Sequence, residues 1–483
     1  MNLSPIFLIG YFVVILLVAR FFSRKVETLK DFFLAGKQFG AFPVALTLAA
    51  SWFGASSTMG SINAFHDQGL SGAWQLVLPS VLSFVVITLF MAKPVSRQPY
   101  LSQPEAVAAH YGKPGRLLLA LIILAATTTL IGSQMVAAGR LFQSVFGLDL
   151  TMATVLSTMA VVSYAMWGGY FTVVVTDIAQ MGFIWLGFII LLIYTATTAV
   201  PDSAAWRHFL SHQPVNFWNF SHHWQDNIFL VITFVLAWCI APEMWQRMSS
   251  TRNPELAFKA GWQAFCIMLA LFSIIAVIGL LSTQIIPQSD TVLIDLALRI
   301  PVPFLSALVL LGFLSAVTST MDSSLNVGSL TLTRDIYQGF IRPQASNREL
   351  IRVSRVATVL MVVPAMALAL YFQDLIRILW ISADIYACGM FFPVIGMLYC
   401  KNPGKWSGVL AMSFGISAVV FSALVQNGII PNWLGIPGWP YSTLLGIGLS
   451  GLGFALGYFF WPNPQICKTE VPEPVPLSLP EPV

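Results

Sequence analysis

Between Phe313 and Asn326 the chain reads FLSAVTSTMDSSLN, which sets one acidic residue, Asp322, among small and hydroxyl side chains in an apolar run. Ala316, Ser319, Thr320 and Ser323 stand at i, i+3, i+4 and i+7, so on a helix three hydroxyls and one small residue share a face. A stripe of hard oxygen suits an alkali cation, which takes neutral and singly charged oxygen donors rather than sulfur or imidazole. Carbonyls freed on a second helix would complete the shell. The competing reading is tight helix packing by small polar residues. Three further acidic residues, Asp177, Glu243 and Asp384, lie within or at the ends of apolar stretches. Each is costly in hydrocarbon and is a functional candidate for that reason. Glu243 lies beside a break and Asp384 near a stretch end, where solvation explains them as well as function does.

The elements that must position these groups are long and apolar. Of the 483 residues, 57% are hydrophobic and 9% charged, with a mean hydropathy of +0.79. A soluble chain of this length has no core large enough to hide such a surplus. A span needs about 20 apolar residues to cross roughly 30 Å of hydrocarbon. Thirteen stretches qualify, centred near residues 12, 53, 83, 130, 158, 186, 238, 272, 312, 362, 388, 417 and 451. The expected fold class is therefore an all-α membrane protein with about thirteen transmembrane helices, its partner the lipid bilayer. Little chain is left for a catalytic domain, and no Walker-type or HExxH string occurs. No enzymatic activity is expected.

Charge orients the spans. Arg140, Arg207, Arg299 and Arg377 fall on one side of the alternation, whereas Arg20, Arg24 and Lys25, and Arg348, Arg352 and Arg355, cluster on the other. The positive side is cytoplasmic, which predicts an outside N-terminus and a cytoplasmic C-terminus in a cell (inner) membrane. The stretch Pro5–Ala19 carries its charges after it, the reverse of a signal peptide, and reads as a retained span. The net charge of +4 belongs to cytoplasmic loops. No basic block interleaves with aromatics, so nucleic acid is excluded as a partner. Five cysteines, Cys239, Cys266, Cys388, Cys400 and Cys467, lack CxxC spacing and imply neither disulfides nor zinc. His208, His212, His222 and His223 lie in an outside loop without cysteine or carboxylate companions and read as solvated.

Two stretches are predicted to break inside the membrane. ALTLAASWFGASSTMGSINAF (Ala45–Phe65) is dense in Ser, Thr and Gly, which compete for or loosen the helical backbone. ITFVLAWCIAPEMW (Ile232–Trp245) contains Pro242, which removes a helical hydrogen bond. A break at membrane depth is tolerated where the freed backbone faces protein or a water-filled cavity, so each is a candidate ligand site. Counted from Ala45, the breaks stand first in two successive sets of five spans, the spacing of an inverted repeat, although the halves share no visible sequence similarity.

From about Asp31 to Trp406 the chain resembles the sodium:solute symporter family, and within it the sodium/proline permeases. The similarity is carried by SQPEAVAAHYG (102 to 112), MVAAGRLFQSVFG (135 to 147), WGGYFTVVVTDIAQ (167 to 180), PEMWQRM (242 to 248), SAVTSTMDSSLNVGSLTLTRDIY (315 to 337) and FFPVIGMLY (391 to 399). The resemblance implies two inverted five-helix repeats, with solute held between broken first and sixth core helices and Na+ nearby. It implies a main sodium site at the carbonyls of Ala50, Phe53 and Ala316 and the hydroxyls of Ser319 and Thr320. A second site, present in some relatives, would fall on Asp177, Ser319, Asp322 and Ser323. The solute would lie among Ser51, Trp52, Gly54, Phe234, Trp238, Ala241 and Pro242. Proline permeases carry an aspartate where this chain has Trp52, which argues against proline.

The implied organisation is one transmembrane domain over residues 1–461, comprising an extra N-terminal span (3–22), core repeats over about 40–200 and 227–400, and two C-terminal spans. The proline-rich segment 462–483 is expected to be a disordered cytoplasmic tail. The implied function is sodium-coupled symport of a small polar organic solute. A solute-binding sensor on the same scaffold and a proton-coupled carrier are the alternatives.

Overall fold

In hydrocarbon a backbone must satisfy its own hydrogen bonds, and apolar runs of this length do so as helices. In the computed structural model, which describes residues 3–22, 33, 37, 39–167, 169–222, 224–433 and 435–462, they all do. The helices in chain order are α1 (Ser4–Phe22), α2 (Ala41–Trp52), α3 (Ser61–Gln68), α4 (Val77–Val86), α5 (Ala92–Ser96), α6 (Gln103–Phe146), α7 (Leu150–Ala165), α8 (Tyr170–Ala199) and α9 (Ser203–Ser211). They continue as α10 (Trp224–Trp238), α11 (Pro242–Ser249), α12 (Pro254–Ser282), α13 (Val292–Arg299), α14 (Pro303–Leu330), α15 (Asn347–Phe372), α16 (Leu375–Tyr399), α17 (Lys405–Gln426) and α18 (Tyr441–Phe460). Among the described residues no β-strand forms; Phe39 and Thr251 make an isolated parallel bridge. The chain is a multi-pass membrane protein.

Local signals start these helices where the loops meet them. Ser102, Asp149, Asp202, Asn253, Ser346 and Asp374 each accept a hydrogen bond from a first-turn amide of the helix that follows. Such caps satisfy donors that the helix itself cannot. The two long loops expected outside hold the short helices α9 and α13, and the connector expected inside begins with a π-helical extension of α14, Thr331–Ile341. Arg334 and Glu105 pair at 2.6 Å, and Arg116 and Asp335 at 3.1 Å, tying that extension to the start of α6.

Ten helical segments among the described residues are long and apolar enough to span a membrane, and the pair Asn227–Trp238 and Pro242–Ser249, bent by 43°, makes an eleventh. The difference from thirteen has a local cause. Helix α2 stops after 12 residues at the first break, and α7 has 16, so both are shorter than a full crossing. The expected tail, residues 463–483, and His223 lie outside the described residues.

Helix α14 runs through the centre of the bundle. Its residues from Val309 to Leu330 are buried on every side, and it packs against α8, α6, α2, α1 and α15. A helix enclosed all round needs no polar stripe to mark a surface, so its hydroxyls have another reason to be there. Gly312 sets how closely α8 approaches: a Cβ at that position would lie 2.7 Å from the Phe183 carbonyl oxygen. Small residues at such crossings let backbones meet.

Candidate functional site

The first break follows from a cluster of small and hydroxyl residues. Helix α2 ends at Trp52, Phe53 adopts φ −86° and ψ 57°, and helical structure resumes in the π-turn Ser56–Gly60. The Ala55 amide, which an unbroken helix would give to the Ser51 carbonyl, donates to Gln134 Oε1 at 2.9 Å. Ser57 Oγ donates to the Trp52 carbonyl at 2.8 Å, and Thr58 Oγ1 to that of Gly54 at 2.8 Å. These hydroxyls offer the backbone an alternative to the helix. Gly54 is required by proximity, since a Cβ there would stand 2.6 Å from Thr320 Oγ1 and 2.8 Å from Gln134 Oε1. The second break spans Cys239 to Ala241, and Pro242 opens α11, where its missing N–H costs nothing. The freed Ile240 carbonyl accepts from Gln103 Nε2 at 2.9 Å.

The first break lies against α14. Ser319 Oγ donates to the carbonyls of Ala50 at 2.9 Å and Ala316 at 3.0 Å; Thr320 Oγ1 stands 3.5 Å and 3.2 Å from the same two oxygens. Four of the five oxygens expected for the main sodium site therefore converge. Phe53 stands at the break, its carbonyl accepting from neither hydroxyl and its ring held edge-on by Phe188 and Phe272 at 5.6 and 5.8 Å. The set is neutral, buried and entirely oxygen. That chemistry fits an alkali cation and offers nothing to a transition metal.

The acidic residues have different neighbours. Asp177 Oδ2 accepts a short hydrogen bond from Thr47 Oγ1 and lies 3.7 Å from Arg247 Nη2, with both ionic side chains fully buried. Arg247 also donates a short bond to Ser323 Oγ and reaches the Glu243 main-chain oxygen at 3.2 Å. Ser323 meets Ser51 at 2.9 Å. Asp322 stands apart, its Oδ2 accepting from Tyr164 OH at 2.7 Å. The residues expected at a second sodium site thus divide: Asp177 and Ser323 share an arginine, and Asp322 has a phenol. Arg247 is absent from the sequence-derived site. Its signal was present in PEMWQRM, since an arginine within a span costs about 2.5–3.5 kcal/mol at the helix centre and demands a buried partner.

Between the breaks lies a cleft. Of the residues expected around the solute, Ser51, Trp52, Gly54, Trp238 and Ala241 line it. Phe234 lies behind Trp238, ring centroids 4.5 Å apart, and Pro242 starts α11 without reaching the wall. Sequence reasoning missed Gln134 on α6, Glu243 on α11 and Tyr386 on α16 as wall residues, and Thr320 joins the wall from the oxygen cluster. Trp52 Nε1 and Tyr386 OH are buried with no hydrogen-bond partner among the described residues.

A profile of the sodium:solute symporter family matches residues 32–406. The chain is 26% identical to the osmoregulated proline transporter of Bacillus subtilis (strain 168), with 93% of this chain and 95% of that one covered. It is 23% identical to high-affinity choline transporter 1 of Caenorhabditis elegans, covering 86% and 77%. Among solved structures, a sodium-coupled sialic acid symporter in a substrate-bound outward-open state superimposes with a TM-score of 0.79 at 16% identity, covering 96% and 99%. A nucleobase-cation-symport-1 family transporter gives 0.58 at 14% identity, covering 91% and 97%. The structural likeness concerns the fold. Together with a family match over most of the length, and with an oxygen cluster set beside a broken helix, it leads to one assignment: the chain belongs to the sodium:solute symporter family.

Proposed function

We propose that this protein carries a small polar organic solute into the cell together with sodium, by alternating access. Sodium sits at the Ala50, Phe53 and Ala316 carbonyls and the Ser319 and Thr320 hydroxyls, and solute lies between the two breaks. One observation carries this reading: Thr320 contributes to the oxygen cluster and to the cleft wall at once. An ion bound at the cluster pins the first break against α14. That orders Ser51 to Gly54, and with them one side of the cleft. The solute then binds a surface whose ordering the ion has already supplied, and by linkage solute raises ion affinity by the same factor.

In this arrangement α2 and the α10–α11 pair are the broken first members of two inverted five-helix repeats, over about 40–200 and 227–400. The count of thirteen spans is retained by taking α2 with α3, and α7, as short crossings, with the N-terminus outside and the C-terminus in the cytoplasm of a cell (inner) membrane. For Asp177 and Ser323, the guanidinium of Arg247 supplies the positive charge that a second sodium would bring. Asp322, beside Tyr164, is then a structural carboxyl, and one sodium accompanies each solute.

The test is uptake of radiolabelled solutes by proteoliposomes under an inward sodium gradient against an equal potassium gradient. Accumulation that follows sodium supports symport. Accumulation that follows only a proton gradient, or saturable binding without accumulation, removes it in favour of a proton-coupled carrier or a sensor.

A further inference from the structure

We propose that the solute bears a cationic nitrogen, which the Glu243 carboxylate receives in the cleft between the broken helices, and an acceptor group that meets Trp52 Nε1 and Tyr386 OH; this rests on the reading of the cleft as the solute site. Glu243 is the second residue of α11, only 3% exposed, and it lines the cleft. Its Oε1 accepts from Ser324 Oγ at 3.2 Å. The nearest basic side chain in sequence, Arg247, lies close enough to be felt by the carboxylate but makes no ion pair with it: Arg247 donates to the Glu243 main-chain oxygen, while its Nη2 goes to Ser323 and faces Asp177. Glu243 makes no salt bridge among the described residues.

A carboxylate out of water whose nearest guanidinium is already paired elsewhere is costly, and the cost is recovered when a cation joins it. The surroundings select the kind of cation. Trp52, Trp238 and Tyr386 line the same cleft, and aromatic faces favour ammonium and quaternary ammonium groups over strongly hydrated ions. An alkali ion finds better ligands in the neutral oxygens at Ser319 and Thr320. The two unpartnered donors, Trp52 Nε1 and Tyr386 OH, supply the complementary half of the recognition. Buried donors without partners discriminate strongly for a ligand that brings an acceptor. A small zwitterion satisfies both ends.

The experiment uses purified full-length protein in saturating sodium and, in parallel, in potassium without sodium, with thermal stabilisation as the binding readout. The probes are glycine betaine and choline, each paired with its tert-butyl isostere, in which carbon replaces the charged nitrogen. The expected result is stabilisation by at least one nitrogen probe and not by its isostere, with Glu243→Gln weakening that binding about tenfold or more, as truncation of a desolvated charge pair does. Equal binding of the isostere, no stabilisation by either nitrogen probe, or unchanged probe affinity in Glu243→Gln overturns the proposal. So does a Glu243→Gln protein that loses sodium dependence at unaltered probe affinity. Because the isostere comparison runs on the wild type, it stands even where the variant does not fold. Nitrogen-selective binding that ignores sodium overturns the symport reading and leaves this one intact, whereas sodium-dependent binding of neutral or anionic solutes alone does the reverse.

Discussion

Two polar clusters lie within one helical turn of each other on α14, and they handle charge in opposite ways. Ser319 and Thr320 face the Ala50 and Ala316 carbonyls, so every group in that cluster is neutral. One turn along, Ser323 touches Arg247, which in turn faces Asp177, so that cluster holds both members of an ion pair. A transported ion must bind well enough to enter and loosely enough to leave. Neutral oxygens around a freed backbone meet that demand. A buried carboxylate with a fixed guanidinium partner does not, because its charge is already balanced inside the protein. The pair is better suited to holding α8, α11 and α14 together than to exchanging ions.

The comparison breaks most directly at Arg247. Arg247→Gln leaves Asp177 buried without its counter-charge, and removing one partner of a buried pair costs about 3–5 kcal/mol. The expected outcome is a large drop in the thermal unfolding midpoint of the purified protein, with the double variant Asp177→Asn/Arg247→Gln recovering much of it. Additive losses in the double variant would show that the two charges are not coupled.

Trp238→Ala separates both clusters from the cleft. Trp238 lines the cleft and packs against Phe234 at a tilt, and neither side chain touches Ser319 or Arg247 through a hydrogen bond. Truncating a tryptophan that a ligand packs against costs about 2 kcal/mol or more, so the half-saturating solute concentration should rise roughly 30-fold. The sodium dependence of the residual transport should stay near that of the wild type. If Trp52→Ala and Trp238→Ala both keep wild-type solute affinity, the solute binds elsewhere.

A smaller effect is expected at the neutral cluster. Ser319→Ala or Thr320→Ala removes one oxygen without an ionic partner, and a loss of about 1.4 kcal/mol is tenfold in half-saturating sodium. Solute affinity measured at saturating sodium should change much less for Ser319→Ala, which lies off the cleft wall, than for Thr320→Ala, which is on it. Sodium curves that match the wild type in both variants would move the ion site away from α14.

What could be read from the residues alone divides along a physical line. The oxygen stripe of Ala316, Ser319, Thr320 and Ser323 depends on spacing within one helix, and the breaks depend on local Gly, Ser and Pro chemistry, so both were visible. The partner of Asp177 was not, because Arg247 lies 70 positions away and the pairing is set by how α8 and α11 cross. Gln134 and Tyr386 were missed for a similar reason. Each is a single polar group in an apolar run, and only the packing of α6 and α16 against the first break turns it toward the cleft. The span count differed because hydropathy windows read across the break after Trp52, where the backbone stops being helical, and because they take the 16-residue α7 for a full crossing.

The smallest effect is expected at Asp322, and it decides whether the second cluster exchanges ions at all. Asp322 is buried, its Oδ2 accepts from Tyr164 OH at 2.7 Å, and no basic group among the described residues pairs with it. An asparagine keeps the side-chain size and an oxygen for the phenol, so Asp322→Asn removes charge while preserving the contact. If the guanidinium of Arg247 stands where a second sodium would otherwise be needed, the loss of this charge removes no ion ligand. The sodium dependence of uptake should then follow a Hill coefficient of about one in the wild type, as expected of a single coupled ion, and Asp322→Asn should leave it unchanged. A wild-type coefficient clearly above one that falls in Asp322→Asn would instead make Asp322 part of a working second ion site, with Ser323 shared between that site and Arg247.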